Sequence, residues 1–252
     1  MKKTRLIARL DIKGSNLIKS VHLEGLRIIG DPQKHAKQYY NDGADEILYI
    51  DTVASLYGRN NAVKLVKEIS KNIFLPITVC GGIRTIEDAS NIILSGADKI
   101  GINTAAVENP KFLTILAKEF GSQSIVLSVE AKKKSPSTWE VFVNSGRDPT
   151  GIDVKLWIKK AVDLGIGSVF LTSIDNDGTK LGFDKELCEE VFNICEVPLV
   201  ISGGLGKIKD LKILTDNSGI NGFAAASAFH NNLLTINEIK KFLIDYKINV
   251  KD

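Results

Sequence analysis

Leu75-Pro76-Ile77-Thr78-Val79-Cys80-Gly81-Gly82-Ile83-Arg84-Thr85-Ile86-Glu87-Asp88 and Val197-Pro198-Leu199-Val200-Ile201-Ser202-Gly203-Gly204-Leu205-Gly206-Lys207-Ile208-Lys209-Asp210 are two copies of one pattern. Pro76 aligns with Pro198, Gly81-Gly82 with Gly203-Gly204, and Asp88 with Asp210; each pair is 122 positions apart in a chain of 252 residues. Each copy reads as a short buried strand, a Gly-Gly turn and the start of a helix. Glycine lets the backbone of such a turn approach a ligand closely, and the N–H groups at a helix start favour an anion. Two copies in a half-length repeat predict two phosphate sites, and so a ligand phosphorylated at both ends.

Working outward from these copies, apolar runs of strand length alternate with amphipathic runs of helix length along the chain. Strands are predicted at residues 5–11, 46–51, 77–80, 99–102, 124–130, 168–172, 199–202 and 222–226. The helices between and after them are predicted at 32–42, 61–69, 86–95, 110–120, 154–164, 185–195, 208–215 and 235–246, with Asp31 and Asp153 as caps and Pro32 in a first turn. The strands are continuous apolar runs, as parallel strands buried on both faces require. Eight such βα units predict a (β/α)8 barrel of the TIM type. It is read as one domain over residues 1–252, built from half-barrels of about 1–122 and 123–252. An open doubly wound sheet is the competitor, and the repeat argues against it.

The chain is 44% hydrophobic and 25% charged with a net charge of +3, the composition of an ordinary globular protein. So small a charge predicts no general nucleic-acid binding. The apolar run from Leu6 to Leu10 is too short for a signal segment, and no later run approaches membrane length. A cytoplasmic protein with no membrane partner is therefore expected. Cys80, Cys188 and Cys195 are odd in number and lack C-x-x-C spacing, which predicts reduced, mostly buried thiols. His22, His35 and His230 do not cluster with them, so neither a metal nor another cofactor is expected.

Barrels of this kind bind ligands at the C-terminal ends of their strands. Four predicted strands have polar residues there: Asp11, Asp51, Glu130 and Ser173. Asp11 and Glu130 end the first strand of each half, and those strands face one another across a closed barrel. Two facing carboxyl groups suit general acid–base catalysis. The alternative is that each caps a loop or pairs with Lys13 or Lys132. The phosphate candidates are Gly81-Gly82 with Gly101 to Thr104, and Gly203-Gly204 with Ala225-Ala226-Ser227 and Asp177-Gly178-Thr179. Residues 13–31 and 131–153 are long connections expected to act as lids, the second with a hairpin around 139–143.

These residues resemble the cyclase subunit of imidazole glycerol phosphate synthase, a family of two-fold repeated (β/α)8 barrels of histidine biosynthesis. The resemblance runs from Arg5 to about Leu243. It rests on Leu10-Asp11-Ile12-Lys13, Gly30-Asp31-Pro32, Gly43-Ala44-Asp45-Glu46, Gly81-Gly82-Ile83-Arg84 and Gly96-Ala97-Asp98-Lys99. In the later part it rests on Ile102-Asn103-Thr104-Ala105-Ala106, Trp139-Glu140-Val141, Pro149-Thr150-Gly151, Asp177-Gly178-Thr179, Ala225-Ala226-Ser227 and Phe229-His230. It implies a lyase that uses ammonia to convert a bisphosphate ribulosyl-formimino carboxamide ribotide to imidazole glycerol phosphate and aminoimidazole carboxamide ribotide. The ammonia comes from a glutaminase subunit, docked as a heterodimer on the N-terminal face of the barrel, and crosses the barrel core. The resemblance places the catalytic carboxyl groups on Asp11 and Glu130 and the substrate lysine on Lys19. One phosphate site falls on Gly82, Asn103 and Thr104. The other falls on Asp177, Gly178, Gly204, Ala226 and Ser227. An ammonia gate falls on Arg5, Glu46 and Lys99.

The chain departs from the family in several places. Glu130 stands where an aspartate is usual, which lengthens the reach by about 1 Å, a change of the size that can cost about 10²-fold in rate. Ser168 replaces the fourth, acidic member of the gate. Arg9 replaces a small uncharged residue in the first strand and must find a partner or an exit to solvent. Cys80 and Ser20 stand where glycine is usual. These changes leave a second reading open: a paralogue that relays ammonia for amidation of a surface sugar, with little cyclase activity. A third, a single-chain ribotide isomerase with the same two-fold barrel, fits Gly96-Ala97-Asp98-Lys99 and Trp139-Glu140-Val141 less well.

Overall fold

The computed structural model describes residues 3–54, 62–216 and 219–250. Its strands are β1 (Arg5–Lys13), β2 (Asn16–Val21), β3 (Glu24–Gly30), β4 (Glu46–Asp51), β5 (Ile77–Cys80), β6 (Lys99–Ile102), β7 (Ile125–Ser135), β8 (Thr138–Val143), β9 (Asp148–Asp153), β10 (Ser168–Ser173), β11 (Leu199–Ser202) and β12 (Ile220–Ala225). Eight of them, β1, β4, β5, β6, β7, β10, β11 and β12, pair in parallel in that order. β12 then pairs with β1 and closes the ring. The fold is the expected (β/α)8 barrel, with helices surrounding the strands.

The apolar character of the strands follows from this closure, because each has an inner and an outer face. On β1, Leu6, Ala8, Leu10 and Ile12 face the large core between barrel and helices. Ile7 faces inward and joins Leu48, Cys80, Val126, Phe170, Val200 and Ala224 in a separate inner layer contributed by seven strands. Arg5, Arg9 and Asp11 share the inward parity of Ile7 and are the polar exceptions on that face.

Helix starts follow local chemistry. The Asp31 carboxylate accepts from the amides of Gln33 (2.7 Å) and Lys34 (3.3 Å) and caps Pro32–Asn41. Asp153 accepts from Leu156 (3.0 Å) and caps Val154–Asp163. The predicted second helix is seen as Ala62–Ile69, and its expected start at Asn61 lies outside the described residues. Two further short helices, Thr104–Glu108 and Ser227–His230, follow β6 and β12 directly.

The two long connections are sheet extensions rather than loops. β1 runs on to Lys13, turns at Gly14, and β2 returns antiparallel with Asp11 opposite Ile18 and Ile12 opposite Leu17. Leu17 and Ile18 are both buried, which anchors the hairpin where the polar residues around them suggest an open lid. β8 pairs with the extended β7 as the expected hairpin, and Trp139 and Val141 bury into the outer core.

The sequence repeat has a direct structural cause. Gly81 and Gly203 both have positive φ (96° and 98°). A Cβ on either would run into a backbone carbonyl at the end of the preceding barrel strand, that of Asp51 for Gly81 and that of Ser173 for Gly203. Seven residues on, an aspartate holds the turn. Asp88 Oδ2 accepts from the amides of Arg84 (3.0 Å) and Thr85 (3.1 Å). Asp210 Oδ2 accepts from Gly206 (2.9 Å) and Lys207 (2.8 Å). Asp88→Ala and Asp210→Ala are each expected to cost about 1 kcal/mol, the size of a lost helix cap. Urea unfolding midpoints check this, and unchanged midpoints in both variants would show that the turns are held by other contacts.

Candidate active site

The mouth of the barrel, at the C-terminal strand ends, contains a closed ring of four buried charges. Arg9 and Asp11 come from β1, Lys19 from β2, and Asp177 from the connection after β10. Arg9 Nε donates to Asp11 Oδ1 (2.7 Å) and Arg9 Nη1 to Asp177 Oδ2 (2.9 Å). Lys19 Nζ donates to Asp177 Oδ1 (2.6 Å) and lies 3.4 Å from Asp11 Oδ2. All four side chains are less than a tenth exposed. Arg9 Nη1 also reaches Ser202 Oγ (3.2 Å), and the guanidinium lies 5.9 Å from the centre of the Phe170 ring. The Arg9 that the sequence leaves without a partner therefore has two carboxylates.

The ring fixes the protonation of Asp11. Burial alone opposes its charge, but Arg9 and then Lys19 outweigh burial and hold the carboxyl below the usual aspartate range. Burial likewise works against the charge on Arg9, and Asp11 and Asp177 reverse it. Asp11 is thus ionised. Its partners are Arg9 and Lys19, not Lys13.

Glu130, on β7 four strands round the ring from β1, sits in a different environment. Its Oε2 accepts from Asn103 Nδ2 (3.1 Å) and from the amide of Gly146 (2.8 Å). Among the described residues no cation is paired with it. Burial pushes its carboxyl up to about 7, helped by the charges of Asp11 and Asp177 and opposed by the Gly146 N–H and Arg9. A carboxyl held ionised and one whose proton is lost only near neutrality therefore sit on opposite strands of one mouth, the pattern that separates a base from an acid.

Two hollows flank this pair. A cavity of about 230 Å³ is lined by Gly81, Gly82, Asn103, Thr104 and Glu130, with Asp51 beside them. Asp51 Oδ1 accepts from the amides of Val53 (3.1 Å) and Ala54 (3.0 Å), while its buried Oδ2 has no partner among the described residues. A smaller hollow of about 20 Å³ is lined by Lys19, Asp177, Gly178, Gly204, Ala226 and Ser227, with Arg9 at its edge. Both groups of phosphate residues expected from the sequence are each brought to one place. Asp177 differs in kind from the rest of its group: its carboxylate is taken by Arg9 and Lys19 and its amide by carbonyls of Ser173 (3.0 Å) and Ile174 (3.3 Å). Its side chain thus holds the two cations of that hollow in place.

At the opposite end of the barrel, Arg5 Nη1 pairs with Glu46 Oε1 (2.6 Å) and Lys99 Nζ approaches both Glu46 oxygens (3.3 and 3.4 Å). Ser168 lines the same small hollow. The three charges leave one positive charge unbalanced there.

With this geometry in view, comparison with known proteins gives a consistent result. The family model described as "Histidine biosynthesis protein" matches residues 5–235. The chain belongs to this family. Among curated relatives of the histidine biosynthesis family, one from Legionella pneumophila named "Imidazole glycerol phosphate synthase subunit HisF" is 52% identical over 83% of this chain and 99% of its own length. Relatives of the same name from Dictyoglomus thermophilum (44% identical, 98% of each chain) and Streptococcus mutans (37%, 100% of each) match nearly end to end. Among the described residues, no helix is long and apolar enough to cross a membrane. Cys80 and Cys188 are buried thiols, and none of the three cysteines forms a disulfide.

Sequence reasoning missed the support around Glu130. The sequence points Asn103 to a phosphate alone, whereas its side-chain amide bridges Glu130 and the Phe142 carbonyl (3.0 Å). The β8–β9 turn also reaches over the cavity: Ser145 Oγ donates to the Thr52 carbonyl (2.7 Å) and the Asn144 amide to Thr104 Oγ1 (3.1 Å). Asn144 and Gly146, both with positive φ (55° and 76°), are the local signals of that turn. The Glu130 carboxyl is expected to titrate near 7 in carbon-13 NMR of the labelled protein, and Asp11→Asn to lower that value by removing a like charge. A Glu130 midpoint in the ordinary glutamate range would contradict the assignment.

Proposed function

We propose that this chain is the ammonia-dependent cyclase subunit of an imidazole glycerol phosphate synthase. It takes ammonia from a partner glutaminase and converts the bisphosphate ribulosyl-formimino carboxamide ribotide to imidazole glycerol phosphate and aminoimidazole carboxamide ribotide. The observation that carries the reading is the pair Asp11 and Glu130, one held ionised and the other raised to about 7, set between two glycine-turn hollows. The names of the relatives support the same reaction and give no support to a sugar-amidating paralogue.

In this reading the chain acts as one barrel of two halves, about 1–122 and 123–252, each supplying one phosphate site. Gly82, Asn103 and Thr104 hold one phosphate, where the turn and the start of Thr104–Glu108 present N–H groups. Gly178, Gly204, Ala226 and Ser227 hold the other, with Lys19 as a cation that lines this hollow and also lies 3.4 Å from Asp11. Asp11 takes a proton from the attacking nitrogen, and Glu130 gives one to the departing group. The Glu130 carboxyl is already engaged by Asn103 and Gly146, which holds the longer side chain in one place. The word "subunit" in the relatives' names implies a partner chain. We place it on the N-terminal face, over Arg5, Glu46 and Lys99, with the ammonia entering there. The location is cytoplasmic.

The test is turnover of the bisphosphate substrate with ammonium salt, followed by release of aminoimidazole carboxamide ribotide. No release under any condition sinks the reading. Asp11→Asn and Glu130→Gln are each expected to lower kcat by about 10²- to 10⁴-fold, the range of a lost acid or base. Because the acid form of Glu130 is required, kcat/KM expressed per free ammonia should fall as pH rises through about 7.

A further inference from the structure

Arg9 is a member of the buried ring to which the proposed phosphate sites and acid–base pair give no role of its own. It is 3% exposed, lies on the inner face of β1 two residues before Asp11, and crosses the barrel mouth to Asp177, 168 residues away in the chain. A buried guanidinium is expensive unless its donors are satisfied. Here three donor contacts are made, and each goes to a side chain with a fixed backbone origin: Asp11, Asp177 and Ser202. Ser202 is pinned in turn, donating to the Ala224 carbonyl (3.2 Å).

We propose that Arg9 is a positioning residue for the base: it holds Asp11 as a carboxylate aimed across the mouth by tying it to Asp177 and Ser202 of the other half of the barrel. This rests on the cyclase reading given above. The planar fork of arginine suits the task because it meets two carboxylates at once. Lys19 is a second cation on Asp11, but it is 3.4 Å away and closer to Asp177 (2.6 Å), so the short contact to Asp11 belongs to Arg9 alone. The other groups bearing on Asp11 are His230, from the short helix after β12, and Glu130, from β7. His230 is kept neutral by burial, with a value of about 4, and its Nδ1 is engaged by the Tyr39 hydroxyl (2.7 Å). Cys80, from β5, is a neutral thiol pushed up to about 12 by burial. Neither supplies a charge that replaces Arg9.

The experiment compares wild type, Arg9→Met and Arg9→Lys in the ammonium-driven assay, with kcat/KM expressed per free ammonia across the pH range. In Arg9→Met, the acidic limb should move to higher pH by about one unit or more, as expected for a buried carboxyl that loses a cation in contact with it. Turnover at the acid end then falls at least about tenfold more than at the alkaline end. Arg9→Lys should restore part of the shift. A uniform loss at all pH values with the limb unmoved would mean that Arg9 only fills space, and would overturn the proposal. Carbon-13 titration of Asp11 in the folded wild type gives an answer that needs neither a folded Arg9→Met nor any turnover. An Asp11 midpoint at or above the ordinary aspartate value overturns the proposal. Absence of turnover in the wild type counts against the cyclase reading, while an Asp11 midpoint that does not rise from wild type to Arg9→Lys or Arg9→Met overturns the role of Arg9 without any turnover.

Discussion

The return of β12 to β1 is the constraint on which the rest of this structure depends. It closes eight parallel strands into a ring, and closure gives every strand an inner face that water barely reaches. It also sets β1 and β7 opposite one another, with four steps of pairing in either direction. An open sheet with the same strands would leave the ends of β1 and β7 spread apart along a line. Only in the ring do Asp11 and Glu130 address one mouth. The same closure leaves Arg9 and Asp11 no exit to solvent, so that each must be satisfied by the other and by groups from distant parts of the chain.

The two carboxyl groups show how environment, rather than residue type, assigns chemical roles. Asp11 is buried on β1, and Glu130 is half-buried on β7 at the wall of the larger cavity. Asp11 is in contact with two cations and stays ionised. Glu130 has an amide side chain and one backbone N–H for partners and tends to keep its proton. The halves repeat in backbone, down to the aspartate that accepts from two successive amides behind each Gly-Gly turn. They differ in the side chains set on that backbone, and the difference leaves one carboxyl held below the usual range and the other raised to about 7.

Much of the architecture was readable from the chain because its causes are local. Strand parity, helix caps at Asp31 and Asp153, and the Gly-Gly turns all act within a few residues. The hairpin formed by β2 and β3 is not announced by the sequence, since its apolar residues (Leu17, Ile18, Val21, Leu26, Ile28 and Ile29) follow no strict alternation. The ring of charges lay further out of reach. Arg9 and Asp11 at i and i+2 share a strand face, and that spacing was a usable signal for their pairing. Asp177 joins them only through the closure of the barrel, and no spacing in the sequence announces a contact across 168 residues. For the same reason Asp177 reads as a phosphate residue in the sequence and as a partner of cations in the structure.

The inner layer of Ile7, Leu48, Cys80, Val126, Phe170, Val200 and Ala224 separates the charges around Glu46 from those around Asp11. Such a layer acts as a charge barrier along the barrel axis. A bare ion crossing it would lose its hydration and gain nothing from these side chains, a desolvation cost of several kcal/mol or more. A small neutral solute faces no such cost. The two ends of the barrel are therefore electrically insulated from each other, and protonation at one end can change without drawing a proton through the axis from the other.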